Sequence, residues 1–447
     1  MSSLLPPPAG SSFRATRGSE PVGADTPALP AWPVLVLLWG YPAFWALGLL
    51  PFAPVIVAIP MLGFLTLRRS VTVVPGLIPW FGFAVWMIPA ALMVDQLGRL
   101  TGVGIRFSQY LALAIMMLYI VNARRALSPR RLLNGLTFIW VFVIVGGYLG
   151  MMFPDVRLTF TVGLLLPDFL ASNDYIADLV FPSLAEVQTP PGAEEPFQRP
   201  SAPFAYTNGW GAAIAVLTPM AVATAIGHRS ARAVWLVAAG LVAIIPPAVA
   251  SSNRGMFLGL GIGVVYVMLR LLLRARWLAL ICVAALAGAA ALLLTWSGFL
   301  DEIAARQEVV DTTQGRSGLY AETFERTLTS PILGYGAPRP SFRSEIWIGT
   351  QGAIWSVMFC FGFVGLALYA FMLLSGALRT AGAPNLSTLW LHASVVVACG
   401  LSLFYGMDRH LVFVGVALAL MLRERYSGES SYWTPSPVPF GRRGHGR

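Results

Sequence analysis

The sequence predicts an all-α integral membrane protein of about twelve transmembrane helices with two long extracytoplasmic loops. Three observations predict it. Hydrophobic residues make up 57% of the 447 and charged residues only 11%, whereas a soluble domain carries about a quarter charged residues. Mean hydropathy is +0.71, which excludes a soluble globular enzyme and an unfolded chain alike. The apolar runs are long and continuous rather than alternating, which excludes a sheet-based barrel.

The elements follow in order. Residues 1–30 are rich in Pro, Ser and Gly and hold no apolar run; they read as a disordered cytoplasmic tail, not as a signal peptide. The membrane domain extends over 31–423, and 424–447 forms a second cytoplasmic tail. The candidate spans are about 31–50, 52–67, 74–94, 107–122, 132–153, 208–227, 233–250, 255–273, 277–299, 352–376, 388–405 and 410–423. In the seventh, Pro246-Pro247 removes backbone donors and predicts a bend. In the eighth, Gly255, Gly259 and Gly263 are spaced by four, a face that admits another helix closely. Cys282, Cys360 and Cys399 all lie in apolar runs, so neither a disulfide frame nor a metal site is expected.

All 30 basic residues are Arg, and net charge is +10. Most sit in short loops beside apolar runs, which argues against nucleic-acid binding and for a contact with membrane lipids. With the N-terminus inside, the inner short loops hold twelve Arg and the outer ones four (Arg99, Arg106, Arg254 and Arg409). That asymmetry sets both termini in the cytoplasm. Two long segments, about 154–207 and 300–350, then face outward. Segments of that length are usually functional.

The outward arginines are the candidate chemistry. Arg199 precedes Tyr206-Thr207-Asn208. Arg254 lies in the short turn Ser251-Ser-Asn-Arg254-Gly255. Arg316 follows Gln314-Gly315, and Arg326 comes ten residues later. A guanidinium is planar, permanently charged and matched to phosphate oxygens, so several converging ones would hold a pyrophosphate and stabilise it as it leaves. The simpler alternative pairs each Arg with a carboxylate or a lipid phosphate. Residues 316–330 read as an amphipathic helix, with Tyr320, Phe324 and Leu328 on one face and Glu322, Glu325 and Arg326 elsewhere. It ends at Pro331, before the Gly334-Tyr335-Gly336 turn.

Taken together, Arg199…Thr207-Asn208, Ser252-Asn-Arg254-Gly255, Gly315-Arg316…Tyr320, Pro331-Ile-Leu-Gly334-Tyr-Gly336 and an apolar span bearing Gly362 and Gly365 resemble the O-antigen ligase and polymerase superfamily. The resemblance runs from about Arg199 to Gly365. It implies a GT-C-like helical bundle in the bacterial cytoplasmic membrane. It implies transfer of a glycan linked to a lipid pyrophosphate, of the undecaprenyl type, onto an acceptor glycan without metal or other cofactor. Arg254 and Arg316 would then be catalytic, with Arg199, Tyr206, Asn208, Arg326 and Gln351 binding substrate. Family members usually carry a His-Asn pair eleven residues before a Gly of the span that follows the large loop. Counting back from Gly362, that place is Gln351-Gly352 here. Gln hydrogen-bonds a sugar but accepts no proton at neutral pH. Candidate bases in its stead are Asp95, Glu322 and His410. The alternatives are a membrane transporter, or a non-catalytic relative that scaffolds glycan assembly.

Overall fold

The computed structural model describes residues 28–165, 180–188, 197–296, 312–343 and 347–427. Most of both expected tails, and residues 166–179 of the first long loop, lie outside the described residues.

The architecture is all-α with two small hairpins. The helices are α1 (Trp32–Trp39), α2 (Tyr41–Ala46), α3 (Ala53–Thr66), α4 (Ile78–Ala91), α5 (Leu97–Asn122), α6 (Pro129–Met152) and α7 (Thr161–Leu165). After strands β1 (Ala185–Gln188) and β2 (Phe197–Pro200) come α8 (Thr207–His228), α9 (Ala231–Ala243), α10 (Ile245–Ser251), α11 (Arg254–Leu273) and α12 (Trp277–Trp296). Next are α13 (Thr312–Thr327), strands β3 (Arg339–Pro340) and β4 (Trp347–Ile348), then α14 (Ala353–Thr380), α15 (Leu386–Leu401) and α16 (Leu411–Ser427).

Among the described residues, seven helices are long and apolar enough to cross a membrane, not twelve. They are α5, α6, α8, α9 with α10, α11, α12 and α14. The protein is therefore a multi-pass membrane protein. The other five expected spans fall short for visible reasons. The first breaks at Gly40, where Tyr41-Pro42 starts a new helix. Helices α3 and α4 have 14 residues each, about 21 Å against a hydrocarbon core of about 30 Å. Helix α15 has 16 residues, and α16 carries Arg423, Glu424 and Arg425 in its last turns.

Caps fix several helix starts. Ser128, Ser230, Asn253 and Asn385 each accept a backbone N–H in the first turn of α6, α9, α11 and α15. The double proline acts as expected, because the seventh span divides into α9 and α10 around Ile244. The glycine face of α11 also packs as expected. A Cβ at Gly259 would lie 3.0 Å from Ala215 of α8, and one at Gly263 would lie 3.0 Å from Val397 of α15.

Helix α8 is the axis of the bundle, and sixteen of its residues are buried. Its small side chains let α6, α11 and α15 approach, and its buried polar side chains are matched. Trp210 Nε1 donates to the Val143 carbonyl (2.9 Å), Trp140 Nε1 to Thr218 Oγ1 (3.0 Å), and Thr137 Oγ1 to Thr224 Oγ1 (2.8 Å). Interhelical hydrogen bonds of this kind contribute roughly 0.6 kcal/mol each in a membrane. By contrast, α12 has no buried residue.

The second long segment grips a broken helix. Helix α14 is interrupted at Gly362, which takes φ +70°. The break frees carbonyls from the helical ladder, and the turn expected at Gly334-Tyr335-Gly336 satisfies them. Tyr335 N donates to the Phe359 carbonyl (2.9 Å) and Gly336 N to that of Cys360 (2.8 Å), while Phe363 N donates back to the Pro331 carbonyl (2.7 Å). Trp86 Nε1 takes the Phe361 carbonyl at 3.0 Å.

The amphipathic helix of this segment forms as α13, but its buried side differs from the expected one. Leu319, Glu322, Thr323 and Thr327 are buried, whereas Phe324 and Leu328 are about half exposed. The reason is local. Ser341 Oγ and Phe342 N donate to the Glu322 carboxylate at 2.6 and 2.8 Å, so a satisfied polar face is the one that packs inward.

Candidate functional site

Three helix starts and the middle of α5 meet around the loop Ser402–His410 that joins α15 to α16. Helix α14 starts there: Ile354 N donates to the Ser402 carbonyl (3.0 Å), Ala353 N to that of Tyr405 (2.9 Å), and Trp355 Nε1 to that of Leu403 (3.1 Å). Helix α11 starts there too, since the Tyr405 hydroxyl donates to Asn253 Oδ1. His410 Nε2 donates to the Gly209 carbonyl in the first turn of α8 (2.8 Å). Finally, Asp408 accepts from Tyr110 of α5 (2.7 Å) and pairs with Arg106 (3.3 Å).

Asn253 is the hub. Its Oδ1 caps α11 by accepting from Met256 N (3.0 Å), and its Nδ2 donates to the Thr207 carbonyl (3.0 Å). Two glycines make room for it. A Cβ at Gly211 would stand 2.4 Å from Asn253 Nδ2, and one at Gly255 would stand 2.2 Å from the Tyr405 hydroxyl oxygen.

Arg199 is tied to the turn that presents Arg254. Strand β2 pairs antiparallel with β1, setting Arg199 opposite Glu186. Arg199 Nε donates to the Ser251 carbonyl (2.8 Å), three residues before Arg254. Thr207 ties the same corner, its N donating to Glu186 Oε2 (3.1 Å) and its Oγ1 to the Arg199 carbonyl (3.2 Å). Arg254 itself is exposed as the first residue of α11. No carboxylate pairs with it among the described residues. An adjoining cavity of about 50 Å³, lined in part by Tyr41, Trp45, Phe204 and Arg409, has room for a few water molecules.

Gln351 joins the group through α13. Tyr320 stacks on Trp355 with ring centroids 4.2 Å apart, and its hydroxyl donates to the Gln351 carbonyl (3.3 Å). The Gln351 side chain donates to Thr350 Oγ1 (3.1 Å). Arg316 is one helical turn before Tyr320 on α13; its side chain lies outside the described residues.

The remaining expected residues are engaged elsewhere. Arg326 sits over the Phe342 ring (4.4 Å), donates to the Pro340 carbonyl (2.9 Å) and lies 3.8 Å from Glu322. It fastens the second long segment to itself. Burial would raise the Glu322 pKa, but the hydrogen bonds from Ser341 and Phe342, with the charge of Arg326, outweigh it and hold the carboxyl below its ordinary range. Asp95 accepts two hydrogen bonds from Arg99 (2.8 Å each) and lies 3.7 Å from Arg339. Burial pushes its pKa up, but Arg99 and then Arg339 outweigh that and hold it below the usual carboxylate range. His410 is buried against Phe204. A carboxylate or imidazole in these settings is a poor proton acceptor for a substrate at the surface.

Sequence reasoning passed over Asn253, Thr207, Glu186, Tyr405 and Asp408 as site residues. Only Asn253 carried a local signal, an N-cap side chain directly before a helical run. No family model matches the chain, and no curated protein matches it.

Proposed function

We propose that this protein is a polymerase or ligase of cell-surface polysaccharide, working at the outer face of the bacterial cytoplasmic membrane with both its termini inside. The observation that supports the reading is that Arg199 is hydrogen-bonded to the turn that presents the exposed Arg254. A lipid-pyrophosphate glycan enters from the outer leaflet. Arg254 grips the pyrophosphate, Arg316 reaches it from α13, and Arg199 holds the turn in place. Tyr206, Asn208 and Gln351 orient sugars by hydrogen bonds.

In the reaction an acceptor hydroxyl forms a bond to the anomeric carbon as the bond from that carbon to the pyrophosphate oxygen breaks. The electron pair stays on the leaving lipid pyrophosphate, and the hydroxyl proton passes to water or to a phosphate oxygen. With His410, Glu322 and Asp95 engaged by the protein, most of the rate comes from stabilising the leaving group, which needs only a weak base.

The test is analysis of lipid-linked oligosaccharides in a deletion strain complemented with wild-type protein or Arg254→Ala. The deletion and the variant should both accumulate single repeat units on the lipid, with the variant present at the wild-type level. Normal polymer length in the variant would refute the role of Arg254. Unchanged lipid-linked species in the deletion itself would refute the reaction.

A further inference from the structure

The end of the bundle opposite Asn253 carries a second arginine group. Helices α8 and α11 begin at the Asn253 corner and run 22 and 20 residues, about 30 Å, to the other side. There they border a cavity of about 540 Å³ shared with the α11–α12 connection and the start of α15. That volume is within the range of small-ligand pockets, roughly 300–1,000 Å³. Its wall bears Arg229, Arg274 and Arg276 and no Asp or Glu.

The fold sets all three residues around this cavity. Arg229 is the left-handed C-cap of α8, and Arg274 is the C-cap of α11. Ala275, at φ +52°, turns the chain so that Arg276 directly precedes α12. Among the described residues none of the three pairs with a carboxylate. Arg274 donates only to the Gly382 carbonyl (2.8 Å). Arg270, one turn back, adds a fourth charge and is held by the Tyr266 hydroxyl (2.7 Å) and the Ala381 carbonyl (2.6 Å). Burial and then the charge of Arg270 push the pKa of Arg274 down. Across the cavity, Asn385 caps α15 and Ser387 donates to the Ala223 carbonyl, so this wall is pinned as well.

Three guanidiniums on one cavity wall with no carboxylate among them match an anion with several oxygens. The cavity also stands where membrane headgroups would stand, since exposed Trp277 opens α12 beside it. We propose that this cavity binds a phosphate group, carried by an anionic phospholipid or by a soluble phosphate compound. The inference is independent of the glycan-transfer reading, because it concerns the opposite end of the molecule.

Native mass spectrometry of the full-length protein in detergent tests it, with phosphatidylglycerol, phosphatidylcholine and inorganic phosphate as probes. Wild type should retain phosphatidylglycerol over phosphatidylcholine by about tenfold, and Arg274→Ala/Arg276→Ala should lose that preference. Arg125→Ala, an exposed arginine at the same end, should keep it. Displacement of the lipid by millimolar phosphate, or retention of phosphate alone, would assign the same site to a soluble compound. If the alanine pair does not fold, Arg229→Gln carries the same expectation at an exposed position. Equal retention of both lipids by wild type with no phosphate bound, or undiminished retention in the cavity variants, would overturn the proposal.

Discussion

Tyr405 donates its hydroxyl to the side chain of Asn253, 152 residues earlier in the chain, and the ring fits only because position 255 has no Cβ. Gly255→Ala should therefore destabilise the protein by about 1–3 kcal/mol, the usual cost of overpacking a closed contact. Tyr405→Phe leaves the ring in place and should not rescue it, because ring carbon atoms also lie within 3 Å of the added methyl. Tyr405→Leu should recover part of the loss. Thermal unfolding in detergent of the two single variants and the double variant supplies the coupling energy. Simple additivity would mean that the two positions do not share this space.

A second close approach is that of Ile332 to Gly362. A Cβ at position 362 would stand 2.2 Å from the Ile332 carbonyl oxygen, and the backbone there has φ +70°. Gly362→Ala should cost roughly 1–3 kcal/mol for the backbone conformation alone, with the clash added. Its specific mark is release of the Pro331–Gly336 turn, read as faster amide exchange at Tyr335 and Gly336, whose N–H groups lie on the opened helix. Unchanged exchange at both amides would show that the break does not depend on glycine.

Much of the fold was legible because an apolar run states its own membrane preference. Helix counting failed where that statement is incomplete: 14 apolar residues look alike whether they span a bilayer or pack on a neighbour. The motifs at Arg254 and Gly334-Tyr335-Gly336 were visible locally. What they touch was not, because Tyr405 on Asn253 and Gly336 on Cys360 are pairings between segments far apart in sequence. Glu322 shows the same limit. Its spacing marks an outward polar face, and only the backbone of a loop twenty residues later turns that face inward.

Arg106 was read as an outer-loop charge, yet it lies inside α5 and pairs with Asp408 at 3.3 Å, while Tyr110, one turn on, also donates to Asp408. Both charged side chains are roughly three-quarters covered. Asp408→Asn should therefore cost less than the about 3–5 kcal/mol typical of breaking a fully buried pair, on the order of 1–3 kcal/mol. Arg106→Gln/Asp408→Asn should be more stable than Asp408→Asn alone, because no uncompensated guanidinium remains. Melting temperatures of the three variants check this. A double variant less stable than either single variant would mean that each residue has separate partners of greater weight.

Glu322 gives the pH prediction. Its folded-state pKa lies below the ordinary value of 4.5, so its bonds to Ser341 and Phe342 stabilise the segment at every pH above that value. The contribution is lost as pH falls from 4.5 through the lower folded value, when the carboxylate takes up a proton. Hydrogen bonds to a charged group contribute roughly 1.5–3 kcal/mol, so Glu322→Gln should raise amide exchange in residues 317–343 about tenfold or more at pH 7. Between about pH 5 and pH 3 the opening free energy of this segment, corrected for intrinsic exchange, should fall in wild type and stay nearly flat in Glu322→Gln. Parallel acid profiles for the two proteins would show that Glu322 does not set the acid sensitivity of this segment.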